Sequence, residues 1–146
     1  MKQPIRFCLV GGGRVGKVHA QSLVRRLPGG KLTCLVEPVA ETRNAFCEQF
    51  GLDISFASLE QALDQAAFDA VIITTPTFTH CSLALQAAQA GRHIFLEKPM
   101  ALTLAECDAI LDAVRQAGVL LQIGFMRRFD PEFSAAYQRI AAGEIG

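Results

Sequence analysis

The stretch LVGGGRVG, residues 9–16, sets Gly11, Gly13 and Gly16 in G-x-G-x-x-G register directly behind the apolar run IRFCLV. Each glycine answers a different steric demand. Gly11 permits a tight turn out of a strand, Gly13 lets backbone come close to a pyrophosphate, and Gly16 lets the following helix pack against the strand. The amides of Arg14 and Val15 would then face phosphate oxygens at the positive end of that helix. Glycine-rich turns also arise for purely local reasons, so this motif is weak without support from the residues that follow.

Support comes from the next apolar run, LTCLVE at about 32–37, which ends in Glu37. That is close to the roughly 20-residue interval at which an acid meets the adenosine ribose of a dinucleotide. A carboxylate accepts hydrogen bonds from both ribose hydroxyls and repels a 2'-phosphate, and no arginine or serine follows immediately to hold one. Arg43 is the nearest arginine and, within the next predicted helix, lies too far along to serve as a phosphate clamp. The expected cofactor is therefore NAD, with NADP disfavoured.

Strand-like and helix-like stretches alternate along the rest of the chain. Strands are expected at about 5–10, 32–37, 54–56, 69–74, 93–97 and 119–123. Ser58 with Gln61, and Thr103 with Glu106, have the spacing of capping boxes at helix starts. Gly51, Gly91 and Gly118 stand where helices should close. This order predicts an α/β fold of the Rossmann type, a doubly wound parallel sheet of about six strands with helices on both faces. No repeat, low-complexity tract or internal linker interrupts it.

At 146 residues, 51% hydrophobic and 19% charged, the chain has the composition of one folded domain rather than a disordered segment. Fourteen basic residues balance fourteen acidic ones, so net charge directs the protein neither to nucleic acid nor to an anionic membrane. The five cysteines lack a C-x-x-C spacing and read as reduced core residues, with no metal site expected. The N-terminal run before the glycines is too short for a signal peptide or a membrane span, and a cytoplasmic location is the default. The last residues, AAYQRIAAGEIG, read as a helix running into a turn, as at the edge of a domain cut from something longer.

Two further stretches fall at strand ends, where ligands sit in open parallel sheets. In TTPTFTH, residues 74–80, Thr74, Thr75 and Pro76 are placed to border the nicotinamide-side ribose, Thr77 or Thr79 could cap a helix, and His80 is a candidate cofactor contact. In FLEKPM, residues 95–100, an apolar strand ends in Glu97 and Lys98. A lysine is costly to bury and long enough to reach a ligand, so beside a nicotinamide it can polarise or deprotonate a hydroxyl. Pro99 fixes the backbone after it, at an X-Pro bond, where cis peptides concentrate.

Taken together, GGGRVGKVHA, Glu37, TTPTFTH, EKP and GFMRRFDP resemble the nucleotide-binding half of the Gfo/Idh/MocA oxidoreductases, most closely the myo-inositol 2-dehydrogenase branch, over the whole chain. The resemblance implies a catalytic role for Lys98, a cofactor-side position for Glu97, and a contact with cofactor or substrate from Arg127 in the Met126–Arg127–Arg128 stretch. It also implies an aspartate and a histidine supplied by a second domain. None of His19, His80 and His93 occurs in the corresponding motif, so neither role is assigned to them. The implied activity is hydride transfer between a cyclic polyol or sugar hydroxyl and NAD, with this chain supplying the cofactor domain and nearly inactive alone. The full-length protein is expected to be oligomeric. A non-catalytic dinucleotide sensor of the same fold and a self-associating interaction piece are the other readings, and an intact E-K-P favours the enzyme.

Overall fold

In the computed structural model, which describes residues 3–145, Cys8 and Val10 pack into one hydrophobic cluster while Leu9 packs into another. A strand buried on both sides belongs in the interior of a covered parallel sheet. β1 (Ile5–Val10) lies there, between β2 (Gly30–Val36) and β4 (Ala70–Ile73). The remaining strands are β3 (Ser55–Phe56), β5 (His93–Leu96) and β6 (Leu121–Ile123), and the order across the sheet is β3-β2-β1-β4-β5-β6 with every pair parallel.

Helices α1 (Arg14–Arg26) and α2 (Ala40–Phe50) cover one face through Ala20, Leu23 and Phe46. Helices α3 (Leu59–Gln65), α4 (His80–Gln89) and α5 (Leu104–Ala117) cover the other through Leu59, Ala62, Ala84, Ala87, Ala88 and Ile110. The sixth helix, α6 (Pro131–Ala141), starts behind Asp130, whose side chain accepts from the amides of Glu132 and Phe133, with proline in the first turn. The doubly wound class is as the sequence predicts. The expected strands are all present, β1 with the expected ends and the others with at least one end shifted by one or two residues.

Register does more for function than any single element. Val36, Val10, Ile73, Leu96 and Ile123 align across five adjacent strands, so the residue after each one stands in a row along the carboxyl edge. That row is Glu37, Gly11, Thr74, Glu97 and Gly124. Their amides continue the ladders, with Gly11 donating to Val36, Thr74 to Val10, Glu97 to Ile73 and Gly124 to Leu96, at 2.8–3.0 Å. Strand order reverses between β1 and β4, and the crevice opens there, next to Gly11 and Thr74.

Local signals come out unevenly. Thr103 and Glu106 form a complete capping box. Ser58 accepts from the Gln61 amide at 3.3 Å, but the Gln61 side chain accepts from Ala57 rather than from Ser58 itself. Gly51, Gly91 and Gly118 all turn left-handed where helices end. Thr77 to Thr79 form a single 3-10 turn, and the Thr79 hydroxyl lies 2.8 Å from the Pro76 carbonyl and 2.7 Å from the Thr75 hydroxyl instead of capping α4. Cys8 and Cys34 are core residues as expected, whereas Cys47, Cys81 and Cys107 are only half-buried; all five are free thiols. At the amino edge, Arg6 grips Asp69 through its side chain at 2.7 and 3.1 Å and its amide at 2.8 Å. Those bonds hold the Asp69 carboxyl down to about 2. Among the described residues no helix is long and apolar enough to cross a membrane, and no cluster of metal-ligating side chains occurs.

Candidate cofactor site

The glycine turn is shaped by two different constraints. Gly11 has φ +103°, and a Cβ there would meet Thr74 backbone at 3.1 Å, so only glycine fits. A Cβ on Gly16 would collide with the Gly11 carbonyl oxygen. Gly13 is unlike both. Its φ of −72° and ψ of −168° suit any residue, and a Cβ there would meet nothing within 4 Å. Neither backbone strain nor packing within the protein requires glycine at this position. The open space lies at the start of α1, where no side chain caps the helix and no acid occupies the first turn. Among the described residues, the amides of Arg14 and Val15 make no hydrogen bond. Unpaired donors at a helix start beside a space free of side chains fit a diphosphate.

Next in the row is Glu37, whose carboxylate accepts from the Gly12 amide at 2.9 Å and the Val39 amide at 3.0 Å. A carboxylate has about four acceptor positions, so two remain for a pair of ribose hydroxyls. Arg43 departs from expectation. It sits in the first turn of α2, and its guanidinium folds back to donate to the Glu37 carbonyl at 2.7 Å. The distance along the chain that ruled it out is cancelled by the reversal of direction between β2 and α2.

Thr74 uses its hydroxyl to hold the glycine turn, reaching the carbonyls of Val10 and Gly11 at 3.1 and 2.9 Å. Gly11, Gly13, Glu37, Thr74, Thr75 and Pro76 all line one cleft of about 660 Å³ at the carboxyl edge. His80 does not. Its ring is buried, with Nδ1 2.9 Å from the Pro99 carbonyl and Nε2 2.9 Å from the Thr75 carbonyl. Each ring nitrogen faces a backbone carbonyl of the protein, one of them donating in either neutral tautomer and both in the imidazolium, so His80 sits between the TTP loop and the EKP loop and neither nitrogen is open to a ligand.

Lys98 and Arg127 line a second concavity of about 330 Å³ with Gly124 and Phe125. Lys98 is exposed, and the peptide bond to Pro99 is cis. Arg127 lies 4.4 Å over the Phe133 ring, which steadies the guanidinium by cation–π attraction. Glu97 is fixed beneath them, accepting from the Lys98 amide at 3.1 Å and meeting His19 Nε2 at 2.9 Å. Gly124 leaves the room this requires, since a Cβ there would lie 3.1 Å from the Glu97 carboxylate. Sequence reasoning gave His19 no place. Its only trace is position, three residues after Gly16 on the buried face of α1 that carries Gly16, Ala20 and Leu23.

A doubly wound sheet whose carboxyl edge carries an uncapped helix start behind a glycine turn, a carboxylate with two free acceptor positions and a cation has the form of a dinucleotide-binding domain. The Gfo/Idh/MocA family, described as an oxidoreductase family with an NAD-binding Rossmann fold, matches residues 5–125, and the chain belongs to it. Scyllo-inositol 2-dehydrogenase (NAD(+)) of Bacillus subtilis is 41% identical over 146 residues, all of this chain and 43% of that protein. The inositol 2-dehydrogenase of Rhizobium meliloti is 38% identical over 143 residues, 97% of this chain and 42% of that protein. The crystal structure of scyllo-inositol dehydrogenase from Lactobacillus casei with NAD(H) and scyllo-inositol superposes with a TM-score of 0.91 at 30% identity, over 99% of this chain and 43% of that one. The WlbA dehydrogenase of Bordetella pertussis, in complex with NADH and UDP-GlcNAcA, gives 0.94 at 31% identity, over 100% of this chain and 42% of that one. The chain thus spans less than half the length of these relatives.

Proposed function

We propose that this chain is the cofactor-binding domain of a longer, two-domain NAD-dependent oxidoreductase, which moves hydride between a hydroxyl-bearing carbon of a cyclic polyol or sugar, inositol-like, and NAD. The observation that carries the reading is Gly13, a glycine the protein's own structure does not require, beside unpaired amides at the start of α1. The inositol dehydrogenases among its relatives support the polyol, and their cofactor supports NAD over NADP.

Gly13, Arg14, Val15 and Gly16 hold the diphosphate, Glu37 the adenosine ribose, and Thr74, Thr75 and Pro76 border the second ribose. His80 supports that border from behind, through the Thr75 carbonyl. When bound, the nicotinamide supplies the hydride acceptor. Lys98 presents an ammonium with three donors, which hydrogen-bonds the reacting oxygen of the polyol and offsets the negative charge that develops as its proton leaves. Glu97 orients Lys98 through its backbone amide, and Arg127 offers a second cation at the same concavity.

Lys98 and Arg127 are both exposed to water in this chain. Solvent weakens every charge interaction they make. The remaining length of the relatives is where we place the shielding wall and the proton acceptor, so the 146 residues alone turn over very slowly. Free thiols suit a cytoplasmic location, and the apolar surface of Phe129 and Tyr137, both more than 70% exposed, suits assembly into an oligomer.

Calorimetric titration of the chain with NAD tests the reading, with Glu37→Ala as the comparison. Saturable binding weakened by the substitution is expected. A folded chain that takes up no NAD at millimolar concentration refutes it.

A further inference from the structure

We infer that Cys81 and Cys107 form a redox-modifiable dithiol, which a small disulfide oxidant such as oxidised glutathione closes into a covalent tie between α4 and α5. Both thiols are free, and both stand in the first turn of their helix. The Cys81 Sγ lies 3.9 Å from the carbonyl oxygen of Glu106, the carbonyl whose peptide bond leads into Cys107. Cys107 precedes the buried Ile110 by about one helical turn, so its side chain leaves α5 on the face that packs with α4 over the sheet. With the Cys81 sulfur already against the peptide of Cys107, rotation about the two Cα–Cβ bonds brings the sulfurs together without moving either helix.

Exposure separates this pair from the other thiols. Cys8 and Cys34 are partners across β1 and β2, but both are wholly buried, and an oxidant in solvent does not reach them while the chain is folded. Cys47 is half-buried but packs on the opposite face of the sheet, away from Cys81. Cys81 and Cys107 are half-buried and on the same face.

Closure proceeds by two exchanges. One thiolate of the pair attacks an oxidant sulfur, forming a mixed disulfide and expelling one glutathione thiolate; the other then attacks the protein-bound sulfur and expels the second. Two protons leave the pair, and its two electrons reduce the S–S bond of the oxidant. Burial, followed by the charges of Glu106 and Cys107, pushes the Cys81 thiol up, which makes it the slower attacker and the one that resolves. A reducing compartment holds the pair open, and oxidising conditions close it.

The tie falls beside the cofactor cleft. His80, adjacent to Cys81, faces the Thr75 carbonyl with one ring nitrogen and the Pro99 carbonyl with the other. The TTP loop leads into α4 and the EKP loop into α5. Oxidation therefore secures by a covalent bond two helix starts that otherwise meet through packing and through His80.

The test is incubation of the folded chain with oxidised glutathione, read by intact mass, by mapping of linked peptides and by thermal melting. It uses wild type, Cys47→Ser, which removes the third half-buried thiol, and Cys47→Ser combined with Cys81→Ser or with Cys107→Ser. The Cys47→Ser chain is expected to lose the mass of two hydrogens, reversibly with dithiothreitol, and to melt about 5–10 °C higher, as closure of a loop of this length implies. Either added serine leaves a glutathione adduct on the remaining thiol and no rise in Tm. The peptide map of wild type reads the same link if a serine variant fails to fold. The inference is overturned if the map shows no Cys81–Cys107 link, if the loss of two hydrogens survives either added serine, or if the linked chain melts no higher than the reduced one.

Discussion

Replacing Gly13 with alanine separates what the protein needs from what its ligand needs. In the free chain the new methyl meets nothing within 4 Å, and φ −72°, ψ −168° is ordinary extended backbone for alanine. Alanine is a poorer N-cap than glycine, by roughly 0.5–1 kcal/mol. It also narrows the unfolded ensemble, which returns about 0.4–1 kcal/mol. The two terms cancel to within about 0.5 kcal/mol, a shift in Tm of no more than about 2 °C for a chain of this size.

Binding is affected differently, because the methyl projects into the space assigned to the diphosphate. If it displaces one charge-assisted contact of about 1.5–3 kcal/mol, affinity falls by roughly ten- to a hundredfold. Thermal melting and calorimetric titration with NAD on the same sample measure both quantities. Gly16→Ala is the contrasting case, since its Cβ collides with the Gly11 carbonyl and should destabilise the free chain by about 1–3 kcal/mol or more. An alanine at position 13 that binds NAD within twofold of wild type, or that melts as low as Gly16→Ala, refutes the argument.

Three other outcomes follow from the geometry. Thr103→Ala breaks the complete capping box of α5 and should cost about 1 kcal/mol in urea denaturation, with NAD affinity unchanged. Asp69 is lowered from 3.8 to about 2 chiefly by its bonds to Arg6, so its contribution is present in full above the ordinary carboxyl range and is lost as pH falls through about 2. Wild type should therefore exceed Asp69→Asn in stability at pH 7, with the difference shrinking below pH 4; a difference independent of pH contradicts this. In the full-length protein, Lys98→Met should lower kcat by about 10²–10⁴-fold, and Lys98→Arg should not restore it, because a planar guanidinium cannot place one donor where the ammonium does. Steady-state kinetics with both substrates decides.

The features legible in the sequence are those in which neighbouring residues constrain one another. G-x-G-x-x-G behind an apolar run specifies a turn because the steric demands at Gly11 and Gly16 fall within six residues, and Thr103 with Glu106 specifies a helix start because the box closes on itself. Gln61 shows the limit, since its side chain found the amide one residue before the expected partner. The braces of the site were not legible. Glu37 and Gly12 are 25 residues apart, His80 and Pro99 are 19 apart, and His19 and Glu97 are 78 apart. A histidine within a helical pattern carries no mark of which distant carbonyl or carboxylate its ring will meet. Arg43 was misplaced for a related reason: chain distance was read as spatial distance across a strand-to-helix reversal.

The register explains why candidate positions at the sheet edge could be named while their partners could not. Strand ends are uncertain by a few residues in sequence, yet a one-residue slip turns every side chain to the opposite face of a sheet. Candidates such as Glu37, Thr74 and Glu97 survive that uncertainty because each follows an apolar run and must lie near an edge wherever the strand stops. Their partners depend on the slip being zero on adjacent strands at once. Only when Val36, Val10, Ile73, Leu96 and Ile123 align does Glu97 come to rest against Gly124, and only then does its carboxylate meet His19 from α1, the helix behind the glycine turn. Lys98 inherits its position from that alignment. Its backbone is held by Glu97 on one side and, through Pro99, by His80 on the other, so helices on opposite faces of the sheet fix the backbone from which this side chain projects.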